Sequence, residues 1–200
     1  MSYRCYELDP NQERDVKENM YESLARKYGM SVDEAKANTQ NVVQMAKEVG
    51  LDFHMDTLKL TNTFDAHRLT MYAKTKGFMH EMTERILHAH FTESKHIGDH
   101  ELLTELAVEV GLDCAEVKNM LNSDQMADVV RVDEQLARQY RVTGVPFFLI
   151  NQKYALTGAQ PTETFVQALK KVIAEDQIVV LNDQDGMNCE IGRASCRERV

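Results

Sequence analysis

Four thiols are the first candidates for chemistry in this chain: Cys5, Cys114, Cys189 and Cys196. Thiol chemistry needs a low-pKa thiolate and a second thiol close enough to resolve a mixed disulfide. No two of these cysteines stand at C-x-x-C spacing, and their spacing matches no zinc motif. Cys5 lies in a short alternating run and is expected to be a small buried residue. Cys114 falls in the first turn of an expected helix, with no resolving partner nearby in sequence, and is expected to be structural. Cys189 sits in an acidic tail. His80, Glu84 and His88 share a helical face, but His80-Glu-Met-Thr-Glu84 lacks the second histidine of a zincin, so a solvated charged face is expected there. Asp183-Gln-Asp-Gly186 lacks the closing glutamate of an EF-hand. No metal is expected.

Composition narrows the partners. Of 200 residues, 23 are basic and 32 acidic, a net charge of -9. Phosphate neutralisation needs a basic face, so nucleic acid is not expected. No apolar run approaches the length of a membrane span. Few cysteines point to a reducing compartment, and a cytoplasmic location is expected.

The elements that must position any site are mostly helices. Tyr3, Cys5 and Leu8 alternate with polar residues and Pro10 stops the run, which predicts one short strand. A long helical block follows. Ser31 with Glu34 forms a capping box that opens a helix with Val42, Met45, Ala46 and Val49 on one face. Thr63 is expected to cap a helix carrying Leu69, Tyr72 and Ala73. Met79, Met82, Ile86 and Ala89 define the next helix. Asp99 caps one with Leu102, Leu103, Leu106 and Val110, and Asp113 with Glu116 starts a short one. Ser123 is expected to precede the last, with Val129, Val132, Leu136 and Tyr140 inward. Val145 to Ile150 and Tyr154 to Thr157 then predict a β-hairpin. Pro161 leads into a helix with Phe165, Leu169, Val172 and Ile173 on one side.

Four motifs in this order carry a resemblance: Tyr6-Glu-Leu-Asp-Pro10, Asn62-Thr-Phe-Asp-Ala-His-Arg-Leu69, Arg141-Val-Thr-Gly-Val-Pro-Phe-Phe148 and Gly158-Ala-Gln-Pro161. Together they resemble the DsbA-like thioredoxin family, in particular its FrnE-type dithiol–disulfide oxidoreductases and isomerases. The resemblance implies an α/β thioredoxin-like fold interrupted by an all-helical insertion. Residues 1–12 and 139–176 would form the thioredoxin-like domain, and 13–138 the insertion. It implies a cis-proline loop at Val145–Pro146, whose backbone pairs with an extended substrate, with Thr143 beside it. Asn62 and His67 would line the cleft, His67 as a proton shuttle. Backbone N–H groups near Ala159 and Gln160 would hold a carboxylate of a thiol substrate or glutathione. Thiol or disulfide substrate proteins and small thiols are the implied partners. No cofactor is implied beyond glutathione as a possible redox partner.

The family's first strand and its C-x-x-C helix start have no counterpart in this sequence, and the lack of tryptophan agrees with that. The chain as written is therefore expected to be inactive, with its opening strand left without a main-chain partner. A kappa-class glutathione transferase or 2-hydroxychromene-2-carboxylate isomerase, with serine for the dithiol, and a non-enzymatic helical binding module are the alternatives. Residues 177–189 read as an acidic tail. Residues 190–200 are abruptly basic, lack a hydrophobic period, and reverse-translate into something resembling a sequencing-library adapter. Deleting 190–200 should leave the melting temperature unchanged within error; a drop of several degrees in a thermal melt would show that this tail packs.

Overall fold

The computed structural model describes residues 2–175. The elements run α1 (Met20–Tyr28), α2 (Val32–Glu48), α3 (Phe64–Thr75), α4 (Met79–Phe91), α5 (His100–Glu109), α6 (Cys114–Leu121), α7 (Ala127–Gln139), β1 (Phe147–Ile150), β2 (Tyr154–Thr157) and α8 (Thr162–Glu175). Contacts divide the chain after Val145 into two units. The tail expected at 177–189 and the segment 190–200 lie outside the described residues, as do Cys189, Cys196 and the Asp183–Gly186 loop.

In the first unit α3 is the central helix, packed against α4, α5, α6 and α7. Its Leu69 and Ala73 are fully enclosed, together with Met82, Ala89, Leu103, Leu106, Ala107, Val117 and Met120. The apolar period read along α3, α4 and α5 therefore marks the core, as expected for amphipathic helices. Asp99 accepts from the Leu102 N–H and Asp113 from the Glu116 N–H, which fixes the starts of α5 and α6. Ser31 and Glu34 form the capping box of α2. Helix α1 is an addition to the sequence reading, although its signature is present: Asn19 and Glu22 cap each other's backbone, and Gly29 closes the helix at φ 66°.

Several details depart from expectation. Residues 2–8 form no strand and have no ladder partner among the described residues. Thr63 makes no side-chain cap on α3; Asn62 does so, its Oδ1 accepting from the Phe64 N–H at 2.8 Å. Helix α2 buries Ala35, Thr39 and Ala46, while Val42, Met45 and Val49 are 47%, 63% and 74% exposed. Its helical partner is the short α1, which covers only a strip of small side chains. Helix α7 is turned as well: Val130, Asp133 and Glu134 are buried, whereas Val129 and Val132 lie exposed.

The entry into α7 explains why Ser123 does not open it. Arg68 on α3 is buried and donates from Nε to the Gln125 carbonyl at 2.9 Å and from Nη2 to the Met120 carbonyl at 2.7 Å. Nη2 also donates to the Ser123 carbonyl. The guanidinium thus gathers the last carbonyls of α6 and the loop that follows, where a cation also suits the helix dipole. Ser123 closes α6, its Oγ donating to the Met120 carbonyl at 3.0 Å. The chain then enters α7 through Met126 at φ 66°. On its other side Arg68 Nη1 meets Asp65 Oδ1 at 2.6 Å, and Asp65 Oδ2 lies 2.6 Å from His100 Nε2. Burial works against the Asp65 charge, yet the bonds from His100 and Arg68 outweigh it and hold the carboxyl below its usual range.

The second unit opens with the expected hairpin. Strands β1 and β2 pair antiparallel, Phe147 opposite Thr157 and Ile150 opposite Tyr154. Asn151 and Gln152 take positive φ values of 51° and 56°, as both central positions of a type I′ turn require. Phe165 of α8 meets Phe148 edge-on, with centroids 4.8 Å apart. Of the face expected on α8, Phe165 and Val172 are half-buried, but Leu169 and Ile173 are exposed. A two-stranded hairpin is too narrow to cover the full stripe.

Replacing Arg68 with Met should destabilise the fold by about 3 kcal/mol or more, because buried carbonyls and Asp65 lose their donor together. Lysine should not restore it, since an ammonium cannot reproduce the planar fork. Urea denaturation of both variants checks this; a loss below about 1 kcal/mol would remove Arg68 from the role of clamp.

Candidate functional site

The inward face of α7 and the opening segment build the most polar buried cluster of the first unit. Asp133, 3% exposed, accepts from the Cys5 N–H through Oδ2 at 3.0 Å and from Arg4 Nη1 through Oδ1 at 2.8 Å. A carboxylate thus takes a main-chain donor that a neighbouring strand would otherwise take. One turn position away, Arg131 Nη1 donates to Glu7 Oε2 and to Glu134 Oε2, each at 2.7 Å. Its guanidinium lies over the Phe64 ring, 4.2 Å from the centroid, a cation–π contact.

His67 on α3 borders this cluster. Its backbone carbonyl lies 3.9 Å from Cys5 Sγ. Burial lowers the imidazole's affinity for a proton; the nearby Glu134 and Asp133 charges and a hydrogen bond with the Tyr6 backbone oppose this without cancelling it. The lowered pKa keeps the ring neutral at pH 7, the form able to accept a proton. Asn62 stands at the other end of the same turn, but both ends of its amide are occupied. Nδ2 donates to the Gln12 carbonyl at 3.1 Å while Oδ1 caps α3. Asn62 therefore anchors the 12–14 loop to α3, a structural use beside any contact with substrate.

The loop before β1 is open. Thr143 and Val145 of the first unit are exposed, as is Pro146, which begins the second. Within the second unit, the Gly158 N–H donates to the Pro146 carbonyl at 2.8 Å. That bond sets Pro146 beside the Gly158–Pro161 loop at one end of the hairpin. Gln160 Nε2 donates to the Thr157 carbonyl at 2.8 Å, so its side chain is tied to the strand end, while the backbone of 158–161 leads into α8.

The two cysteines within the described residues are both free. Cys5 is 2% exposed; burial first, then the Asp133 and Glu134 charges, push its thiol up to about 12. It is no nucleophile at neutral pH. Cys114 is exposed at the start of α6. His80 stacks on the Tyr3 ring and His88 Nδ1 lies 3.1 Å from Glu93 Oε1, so the helical histidines of α4 are engaged separately. No group of three metal-ligating side chains occurs among the described residues.

The buried carboxylates were absent from the sequence reading, because Asp133 and Glu134 sit among charged residues whose usual place is solvent. The arginines at 131 and 138 and the apolar Val130 just before them were the available signal.

The DSBA-like thioredoxin domain family matches residues 1–170, and the chain belongs to it. A probable DsbA oxidoreductase of Streptomyces coelicolor, SCO1869, is similar in structure with a TM-score of 0.83 and 36% identity. That match covers 94% of this chain and 81% of the Streptomyces chain. An uncharacterised Bacillus subtilis protein, YwbO, is 32% identical over 133 residues, which is 64% of this chain and 65% of YwbO. The chain thus spans less than two thirds of that curated relative. A Nitrosomonas europaea structure shares the fold at 17% identity and a TM-score of 0.62, covering 72% of this chain and 76% of its own. The α/β thioredoxin-like fold with a helical insertion is thereby established.

Alkylation of the native chain with N-ethylmaleimide at about pH 6 should label Cys114 and spare Cys5, which should react only after denaturation. Peptide mass mapping reads both sites; rapid native labelling of Cys5 would contradict its burial.

Proposed function

We propose a thiol–disulfide oxidoreductase or isomerase function for this protein, acting on protein or small-molecule thiols and disulfides. Membership of the DSBA-like family supports the chemical class. The observation that carries the reading is the Gly158 N–H to Pro146 carbonyl bond, which joins two loops of the second unit. At the exposed Val145–Pro146 step the Val145 N–H and C=O are the main-chain groups for an extended substrate, and a cis bond there would turn them outward. The adjoining 158–161 backbone offers N–H groups to the carboxylate of a small thiol such as glutathione. His67, neutral at pH 7, is the candidate for exchanging a proton with a thiol. Two free cysteines support a reducing location such as the cytoplasm. No helix among the described residues is long and apolar enough to cross a membrane.

The chain as written should not itself catalyse exchange. The sequence holds no C-x-x-C, and Cys5 carries a buried thiol pushed up to about 12. Insulin reduction should proceed at background rate with this chain. It should rise by orders of magnitude when the strand and C-x-x-C segment of a DsbA-like relative are fused ahead of Tyr3. Equal turnover from both would refute the assignment, and activity restored by a serine-containing segment would favour the glutathione-transferase reading.

A further inference from the structure

Two carboxyl groups in the buried cluster serve no role in the proposed exchange chemistry. Glu7 comes from the opening segment and Glu134 from α7, and their side chains are 1% and 7% exposed. Both spend Oε2 on the same Arg131 Nη1. Both leave Oε1 buried with no hydrogen-bond partner, and because both Oε2 atoms lie 2.7 Å from the one Arg131 nitrogen, the two carboxyls are held side by side. One guanidinium cannot neutralise two buried carboxylates, and a carboxylate–carboxylate contact is repulsive unless a proton lies in it.

We propose that Glu7 and Glu134 hold one shared proton between their carboxyl groups, and that this proton latches the opening segment to α7 and is released as the solution becomes alkaline. The proton leaves as hydronium or to buffer, and the two like charges then push the segment from the helix. The segment carries Cys5, so the latch controls access to that thiol.

The surroundings agree. Burial, then the bond to Glu134, push the Glu7 carboxyl up to about 7, against the opposing pull of Arg131. Burial also acts on Glu134, but its bonds to Glu7 and Arg131 outweigh this and hold it below the usual range. Glu134 thus carries the charge and Glu7 the proton. The other charged or titratable groups facing the pair are Arg138 on α7, His67 on α3 and Cys5 on the segment itself, with Asp133, Lys74 and Arg4 grouped around Cys5. A raised folded pKa means stability that is full below about 4.5 and lost as pH climbs through about 7. His67 has a lowered pKa and runs the other way, its contribution full above about 6.5 and lost as pH falls below that, so the pair must be isolated by substitution.

Glu7→Gln is the suitable variant, because its amide donates permanently where the shared proton would. In the wild-type chain, hydrogen-exchange protection of the Cys5 amide, corrected for intrinsic rates, should fall at least about tenfold between about pH 6 and pH 8.5. In Glu7→Gln it should stay constant within about twofold, since no proton remains to be lost. Carbon-13 titration of the wild-type glutamate carboxyls should show one group titrating near neutrality. An equal fall in both chains, or no wild-type carboxyl titrating above about pH 6, would overturn the latch. Should Glu7→Gln fail to fold, the wild-type titration alone decides.

Discussion

The Asp133 carboxylate accepting the Cys5 N–H is the bond on which the arrangement around α7 depends. A segment with no ladder partner among the described residues must place its main-chain donors somewhere, because a buried unpaired amide is costly. Here a helix side chain does the work of a strand. To do so α7 must turn its acidic residues inward, and Asp133 and Glu134 are buried while Val129 and Val132 face out. Arg4 and Arg131 follow as counter-charges. Cys5, shielded beneath them, becomes an inert thiol rather than a nucleophile.

A second cation performs the same service at the other end of α7. Arg68 collects carbonyls from the α6–α7 connection and fixes where α7 begins. Between them, Arg68 and the Asp133 cluster tie α3, α7 and the opening segment into one body, with the apolar core on the far side of α3. His67 lies on α3 one residue before Arg68, so the clamp that sets the helix also sets the imidazole.

The second unit contains the parts on which the functional reading rests. The Pro146 carbonyl and Gly158 N–H join the strand entry to the loop before α8, so two motifs separated in sequence adjoin in space. Family membership supplies the chemical class, and Val145 and Pro146 lie exposed. The sequence itself holds no paired thiols, and the structure shows that neither Cys5 nor Cys114 is in a disulfide.

Helix starts were legible in the sequence where a side chain caps its own helix: Ser31, Asp99 and Asp113 act within three residues, and so local pattern suffices. The hairpin was legible for the same reason, as were the core faces of α3, α4 and α5. The resemblance carried by the four motifs placed the chain in its family before any coordinate. What the sequence could not determine was which face of α2, α7 and α8 turns inward, because an apolar stripe is buried only if something large enough covers it. On α7 the tertiary need to satisfy Cys5 and pair Arg131 outweighed the apolar stripe. The Glu7–Glu134 contact joins residues more than a hundred positions apart, and only the folded chain could bring them together.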